Sequence, residues 1–254
     1  MANAKQIATA ANLYLGDNNE TYPIARYSAG ANSDPTLAYP DKVVGQLLLP
    51  YLKSIQVLSS PADSATESER ETVDMPVVPS KVSYSDVQRK FALAYKSDYG
   101  YNSATFSRGG INCNRPGAPY RANSSRHSQV TNPSQTVLMV NSIWGRTPNG
   151  KPYGGGTYLV DPPCFVYEDG SLAVLPKPLG CKNSVWAGGW TPSSPLSTAV
   201  FGGVWPWHAS GATTVWADGH VTVERLARLS VGCNVRDGSR GVVADKAKYL
   251  WDLN

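Results

Sequence analysis

The chain has 254 residues, long enough for one large domain or two small ones with a sizeable buried core. Only 17% of the residues are charged and the net charge of +4 is not clustered, which argues against a nucleic-acid groove with its basic stripe. No apolar run reaches the roughly 18 residues of a membrane-spanning helix. With 23 Gly, 19 Pro, 14 Tyr and 7 Trp, the composition instead points to a loop-rich, β-containing extracellular protein.

Residues 3–15 are rich in strong helix formers, and Ala4, Ile7, Ala8, Ala11, Tyr14 and Leu15 recur at helical spacing as one apolar stripe. Gly16 is the expected C-cap, and no Ser, Thr or Asp caps the other end, so the helix is expected to run further upstream. The polar turn Asp17-Asn18-Asn19-Glu20 could hold Ca²⁺ through its oxygens, but it lacks EF-hand spacing, and no cofactor is expected. Asp41 then caps a second predicted helix carrying Val43, Val44, Leu47, Leu48, Tyr51 and Leu52, which Pro50 kinks or ends. The acidic stretch 63–74, with Arg70 among its carboxylates, reads as a solvated loop.

Residues 91–95 fit a strand or a short helix equally well, and residues 107–133 read as loop. Residues 133–141 contain the buried strand Val137-Leu138-Met139-Val140. Asp169-Gly170 between 165–167 and 172–174 marks a hairpin. Gly154-Gly155-Gly156 has no following Lys or helix, so it is not a phosphate loop. The stronger hairpin signal is Asp218-Gly219, with β-branched runs on both sides. A two-residue type I′ turn there would pair Ala217 with His220, Trp216 with Val221 and Val215 with Thr222. Trp216, Val221 and Val223 would then share the core face. One or two helical turns follow at 223–229, then a third Asp-Gly turn at Asp237-Gly238.

Cys113, Cys164, Cys181 and Cys233 contain no C-x-x-C pair, and all four lie in loop contexts suited to two disulfides in an oxidising compartment. Three pairings are possible. Cys164–Cys181 is favoured because it brackets the predicted 165–174 hairpin, which leaves Cys113–Cys233. The histidines are His127, His208 and His220. His208 and Asp218 form a tempting acid–base pair, but ten residues of extended chain at about 3.3 Å each would hold them roughly 30 Å apart. No hydrolase, zincin or dinucleotide motif occurs, so an enzyme is not expected. The Trp-rich loops offer an alternative reading as a surface-displayed, glycan-binding module using Trp186 and Trp190, with Trp205 and Trp207 nearby in sequence.

Nine residues separate His208 from Asp218-Gly219, and this resembles the H-X9-DG signature of the prepilin-type, processing-associated family of pilin-like bacterial proteins. Further segments resemble the family in order along the chain. They are Asn3-Ala4-Lys5-Gln6-Ile7 through Tyr14 and Asp17 to Tyr22-Pro23, then Tyr99-Gly100-Tyr101-Asn102, the 133–141 strand, and the closing Trp251-Asp252. Residues 55–63 resemble the family's short strand, but its end Ser60-Pro61-Ala62-Asp63 departs from the pattern, with Ser60 where Cys is usual, and Asn141 stands where an acid is common.

The resemblance implies a single pilin-like α+β domain over 1–254, in which 1–16 are the C-terminal part of a long helix packed on an antiparallel sheet and 17–254 supply the sheet and large loops. It implies a structural subunit of a type IV pilus-like or type II secretion pseudopilus-like assembly. Its partners would be other pilin-like subunits and, for the precursor, a prepilin peptidase. Membrane contact would come only through a missing N-terminal helix, with the precursor anchored in the inner membrane and the mature protein at the cell surface or in the periplasm.

Overall fold

Runs rich in Val, Leu, Tyr and Thr form the centre of the molecule. The computed structural model describes residues 1–27, 42–72, 86–110, 121–147, 149–170, 190, 200–236 and 239–253. Eight strands in two sheets form the framework of the fold. They are β1 (Tyr99–Asn102), β2 (Val137–Asn141), β3 (Leu159–Val160), β4 (Cys164–Tyr167), β5 (Gly211–Trp216), β6 (Val221–Arg225), β7 (Cys233–Arg236) and β8 (Ser239–Val243). The central sheet has the order β6-β5-β2-β1-β3, antiparallel except for the β1–β3 edge. The second has the order β4-β8-β7, with β4 parallel to β8. The fold is mixed α+β with mostly antiparallel pairing, the coarse class expected.

The helix α1 (Ala2–Asp17) has 16 residues and lies against β5. Its buried stripe is Ala4, Ile7, Ala8, Ala10, Ala11 and Leu15. Within this chain the helix is short, and it covers the segment expected to be helical. It also runs through Gly16, and the chain reverses at Asn19 and Glu20, both at positive φ. Asn18 closes the end by donating its side-chain amide to the Tyr14 carbonyl at 2.8 Å. The second helix is shorter than its apolar spacing predicts. Lys42–Val43 pairs as a strand with Arg26–Tyr27, and α2 (Val44–Leu48) gives way to a 3-10 turn at Leu49–Tyr51, where Pro50 cannot donate. The expected cap Asp41 lies outside the described residues.

Three further expectations are corrected. Residues 55–58 form a 3-10 turn, with Ser54 Oγ accepting from the Gln56 amide at 3.3 Å, and not a strand. The acidic stretch contains the helix α3 (Glu67–Thr72), because Thr66 and Glu69 make a capping box: the Thr66 hydroxyl accepts from Glu69 N at 3.2 Å and Glu69 Oε2 accepts from Thr66 N at 2.7 Å. Residues 107–133 contain a hairpin, Ser107–Gly110 with Arg121–Ser124. The ambiguous run 91–95 is the end of helix α4 (Asp86–Tyr95).

The main hairpin is offset by one residue from the expected register. Val215 faces Val221, Thr214 faces Thr222 and Thr213 faces Val223. Trp216 N donates to the His220 carbonyl at 3.0 Å and Gly219 N to the Trp216 carbonyl at 2.9 Å, so the loop has three residues, Ala217, Asp218 and Gly219. Only Gly219 takes a positive φ, 90°. This is a type I turn closed by a left-handed glycine, not type I′. The cause is tertiary: Ala217 N donates to Thr136 O at 2.9 Å and Asp218 N to Pro133 O at 3.2 Å, which draws Ala217 out of the ladder. A one-residue slip exchanges the faces. Val215, Ala217 and Val221 therefore pack with α1, and Trp216 lies on the opposite side with Trp251. β5 is buried along its whole length because both of its faces are covered.

A two-residue turn with both φ values positive does occur, at Ala209 (φ 44°) and Ser210 (φ 71°). His208 and Gly211 exchange both backbone hydrogen bonds across it, at 2.9 and 2.7 Å. Left-handed conformation costs a non-glycine residue about 1–2 kcal/mol. Ser210→Gly is therefore expected to stabilise the protein by about 0.5–1 kcal/mol after the added unfolded-state entropy, measured by denaturant unfolding. Destabilisation would mean that the serine hydroxyl has a role at this turn.

Cys164 and Cys233 are joined, with Cα atoms 5.9 Å apart. This replaces the expected pairings Cys164–Cys181 and Cys113–Cys233. Cys164 opens β4, whose partner is the distant strand β8, and the β8–β7 hairpin returns Cys233 to it. Gly241 on β8 makes room for the bridge, since a Cβ there would lie 2.8 and 2.9 Å from the two sulfurs. Cys113, Cys181, the 172–174 strand and the Asp237-Gly238 turn lie outside the described residues.

Candidate functional site

The motif residues occupy the two ends of β5. His208 sits before its first residue and Asp218-Gly219 after its last, with a six-residue strand between them. The structure therefore does not bring His208 and Asp218 together as an acid–base pair. The hydrogen bonds of His208 run from its backbone across the Ala209–Ser210 turn, and its side chain has no hydrogen-bond partner among the described residues. His208 thus acts here through its backbone.

At the other end the turn abuts the N-terminal helix. A Cβ on Gly219 would lie 2.4 Å from Asn12 Nδ2 of α1. Asp218 Oδ1 accepts from the His220 amide at 3.0 Å and meets His220 Nδ1 at 2.6 Å, and the His220 ring stacks on Trp216, 5.5 Å between centroids and 6° between planes. On the inner side, the Tyr22 hydroxyl lies 2.8 Å from His127 Nδ1 and donates to the Ala217 carbonyl at 3.3 Å. Burial, and secondarily the nearby Asp218 charge, raise the Tyr22 phenol well above its ordinary value. This turn is a joint between helix, hairpin and the 20–22 segment.

Gly219→Ala is expected to cost roughly 1–3 kcal/mol, because the positive φ strains any L-residue and the new methyl displaces Asn12. Denaturant midpoints of G219A, and of G219A with Asn12→Ala, separate the two terms. The double variant should recover only the steric part. Full recovery would mean that the backbone carries no strain.

A cavity of about 660 Å³ opens beside this joint, lined by Tyr14, Asn18, Thr21, Tyr22, Ile24, Lys42, Leu47 and Ser124. Asp17, offered as a Ca²⁺ ligand, instead accepts a hydrogen bond from the Tyr51 hydroxyl at 2.8 Å. No three His, Cys, Asp or Glu side chains gather as a metal-holding group among the described residues.

A second cluster, unforeseen in the sequence, lies at the start of β1. Arg70, in the stretch expected to be solvated, is 3% exposed. Its guanidinium donates to Asp98 Oδ1 and Oδ2 at 3.2 and 2.8 Å, to Asp63 at 2.7 Å and to the Lys96 carbonyl at 2.8 Å. Ser60 N donates to Asp98 at 2.6 Å. Gly155 and Gly156 admit the cluster: a Cβ on Gly155 would lie 2.7 Å from Arg70 Nη1, and one on Gly156 would lie 2.1 Å from the Ser97 carbonyl oxygen. Burial pushes the Asp98 carboxyl up to about 8, against the pull of Arg70. The only hint in the sequence was a lone Arg among carboxylates, and its partner Asp98 is distant in the chain.

Trp190 cannot serve as a ligand platform. It is 5% exposed, donates its indole N–H to the Asp161 carbonyl at 2.9 Å and packs edge-on to Trp251 at 5.4 Å. Trp186 lies outside the described residues. Comparison with protein-family models, with curated proteins and with solved structures finds no match to this chain.

Proposed function

We propose that this chain is a structural subunit of a type IV pilus-like or type II secretion pseudopilus-like assembly, acting by filament assembly rather than by chemistry. The observation that carries the reading is spatial. The segments that resemble the prepilin-type family are spread from Asn3 to Asp252, yet they meet around one sheet. Ile7, Ala8 and Ala11 of α1, Tyr99 and Tyr101 of β1, Met139 of β2 and Ala217 at the motif turn share one buried cluster. On the other face, Trp251 packs with Val137 and Val140 of β2 and with Trp216 of β5. A subunit held in a filament by its N-terminal helix must pass load from that helix to the globular body, and the Asn12–Gly219 joint would do so.

In this reading a prepilin peptidase processes an inner-membrane precursor and the body faces the periplasm or the cell surface. The Cys164–Cys233 bridge suits such an oxidising location. The test expresses the natural gene, with its upstream coding region, beside a prepilin peptidase and its assembly platform. Peptidase-dependent shortening and sheared filaments containing the chain are expected. An upstream region without a cleavage site and about 20 apolar residues, or a cleaved chain that never enters filaments, overturns the proposal.

A further inference from the structure

We propose that Asn19 is the acceptor of an N-linked glycan, transferred from a polyprenyl-diphosphate-linked oligosaccharide once the chain has left the cytoplasm. The assignment is of a modification site and does not depend on the filament reading.

Two stretches carry the Asn-x-Ser/Thr pattern of such acceptors, Asn19-Glu20-Thr21 and Asn123-Ser124-Ser125. The structure separates them. Asn123 lies in the strand Arg121–Ser124 and pairs with Arg108 across its hairpin. The hydroxyl its pattern requires, on Ser125, is 3% exposed and donates to the Thr105 carbonyl at 2.8 Å. A transferase cannot engage that hydroxyl without unfolding the segment.

Asn19 is placed in the opposite way. Asn19 and Glu20 are the central residues of a reverse turn, at φ 52° and 57°, closed by Thr21 N donating to the Asn18 carbonyl at 3.0 Å. Both residues are exposed. The end of α1 needs nothing from the Asn19 side chain. Glu20 N donates to the Leu15 carbonyl at 2.9 Å, and the Asn18 carboxamide donates to the Tyr14 carbonyl at 2.8 Å. The Asn19 carboxamide is left without a hydrogen-bond partner among the described residues. Thr21 Oγ1 donates to the Asn19 carbonyl at 3.3 Å, which holds the required hydroxyl against the acceptor residue. Asn tolerates left-handed backbone better than most side chains, so turn geometry and acceptor chemistry call for the same residue.

Two further features favour this turn. Asp17 completes the longer acid-x-Asn-x-Thr pattern that bacterial transferases of this class read, whereas the residue two before Asn123 is the cation Arg121. The cavity beside the joint is lined by Asn18 and Thr21, which flank the tip of the turn, with Tyr14 and Ile24 in the same wall. The first sugar thus has a concave surface beside its attachment point.

In the transfer, Asn19 Nδ2 forms the bond to C1 of the first sugar and the bond from C1 to the diphosphate oxygen breaks. The amide proton goes to a base on the transferase, and polyprenyl diphosphate leaves. The reaction belongs to the outer side of a membrane, a location that the Cys164–Cys233 bridge also suits.

The test isolates the intact chain from the organism that carries its gene and fragments the tryptic peptide 6–26 by electron transfer. A sugar mass on the Asn19 side chain is expected. In the same cells, Asn19→Gln and Thr21→Ala should each remove it. Thr21→Ser, which keeps the hydroxyl, should retain it. Thr21→Ala leaves the acceptor itself in place, and an unchanged circular dichroism spectrum would show that its fold is intact. A wild-type peptide without sugar, sugar on Asn123 alone, a glycan that persists on this peptide in N19Q or T21A, or one lost in T21S as fully as in T21A would each overturn the proposal.

Discussion

Replacing Arg70 with Met is expected to destabilise the protein by about 3–5 kcal/mol above about pH 8, where Asp98 is ionised, the usual cost of removing one partner from a buried ion pair. The side chain makes four hydrogen bonds, to both Asp98 oxygens, to Asp63 and to the Lys96 carbonyl, and both it and Asp63 are 3% exposed. Without the cation, two buried carboxyl groups face each other, and methionine reproduces the stem but none of the donors. The effect should shrink as the pH falls below about 8 and Asp98 takes up its proton. Adding Asp98→Asn to R70M should recover part of the loss, because an amide needs no counter-charge. Equal stability of R70M and wild type in urea would mean that the cluster is a passive filler.

The same cluster gives the wild type a pH dependence. Burial raises the folded-state value of Asp98 to about 8, above the roughly 3.9 of an unfolded aspartate. The folded protein therefore holds the proton more tightly than the unfolded chain does. The stabilisation linked to that proton is fully present below about pH 4, declines as the pH rises toward 8 and is flat beyond. Asp98→Asn removes the titration, so the stability difference between wild type and D98N should fall through this window. A difference that stays constant from pH 4 to 8 would show that Arg70 keeps Asp98 ionised throughout.

The sequence shows clearly what depends on neighbours along the chain. The apolar stripe of α1, the β-branched run of β2 and the position of the Asp218-Gly219 turn all follow from local periodicity and turn chemistry. Where distant groups decide, local reading fails. The hairpin register shifts because Thr136 and Pro133 accept the amides of Ala217 and Asp218. The 63–74 stretch looks solvated because its composition is acidic, yet Arg70 is drawn in by Asp98 and seated by the Gly155-Gly156 backbone. Cys164 bonds Cys233 because β4 takes β8 as its partner, a pairing that no spacing rule encodes. The separation of His208 from Asp218 is, by contrast, legible in the sequence: extended chain between them holds them apart, and the strand β5 lies there.

Trp251→Ala is expected to cost about 3–5 kcal/mol, the range for truncating a fully buried Trp or Phe. In the sequence this residue belongs only to a closing Trp-Asp pair near the chain end. In the structure it is completely buried and donates its indole N–H to the Leu229 carbonyl at 2.7 Å. The Trp251 carbonyl accepts from the Thr105 hydroxyl, and its neighbour Asp252 accepts from the Tyr167 hydroxyl at 2.7 Å. Leu250 O accepts from Val137 N at 2.8 Å and Leu253 O from Thr131 N at 2.8 Å, so the segment runs along the outer face of β2 as a fixed strap. Trp251→Phe keeps most of the buried area but leaves the Leu229 carbonyl without its donor, and should cost less, about 1–3 kcal/mol. The two variants separate volume from hydrogen bonding in one denaturation series. The loss should also release Trp190, which meets Trp251 edge-on, so W251A should raise the solvent accessibility of Trp190 to fluorescence quenchers while W251F leaves it protected. If W251A melts with wild type, the strap is not part of the cooperative core. If it melts as expected, the strap and the hairpin are two sides of one sheet: Gly219 seats the helix on one face and Trp251 closes the other.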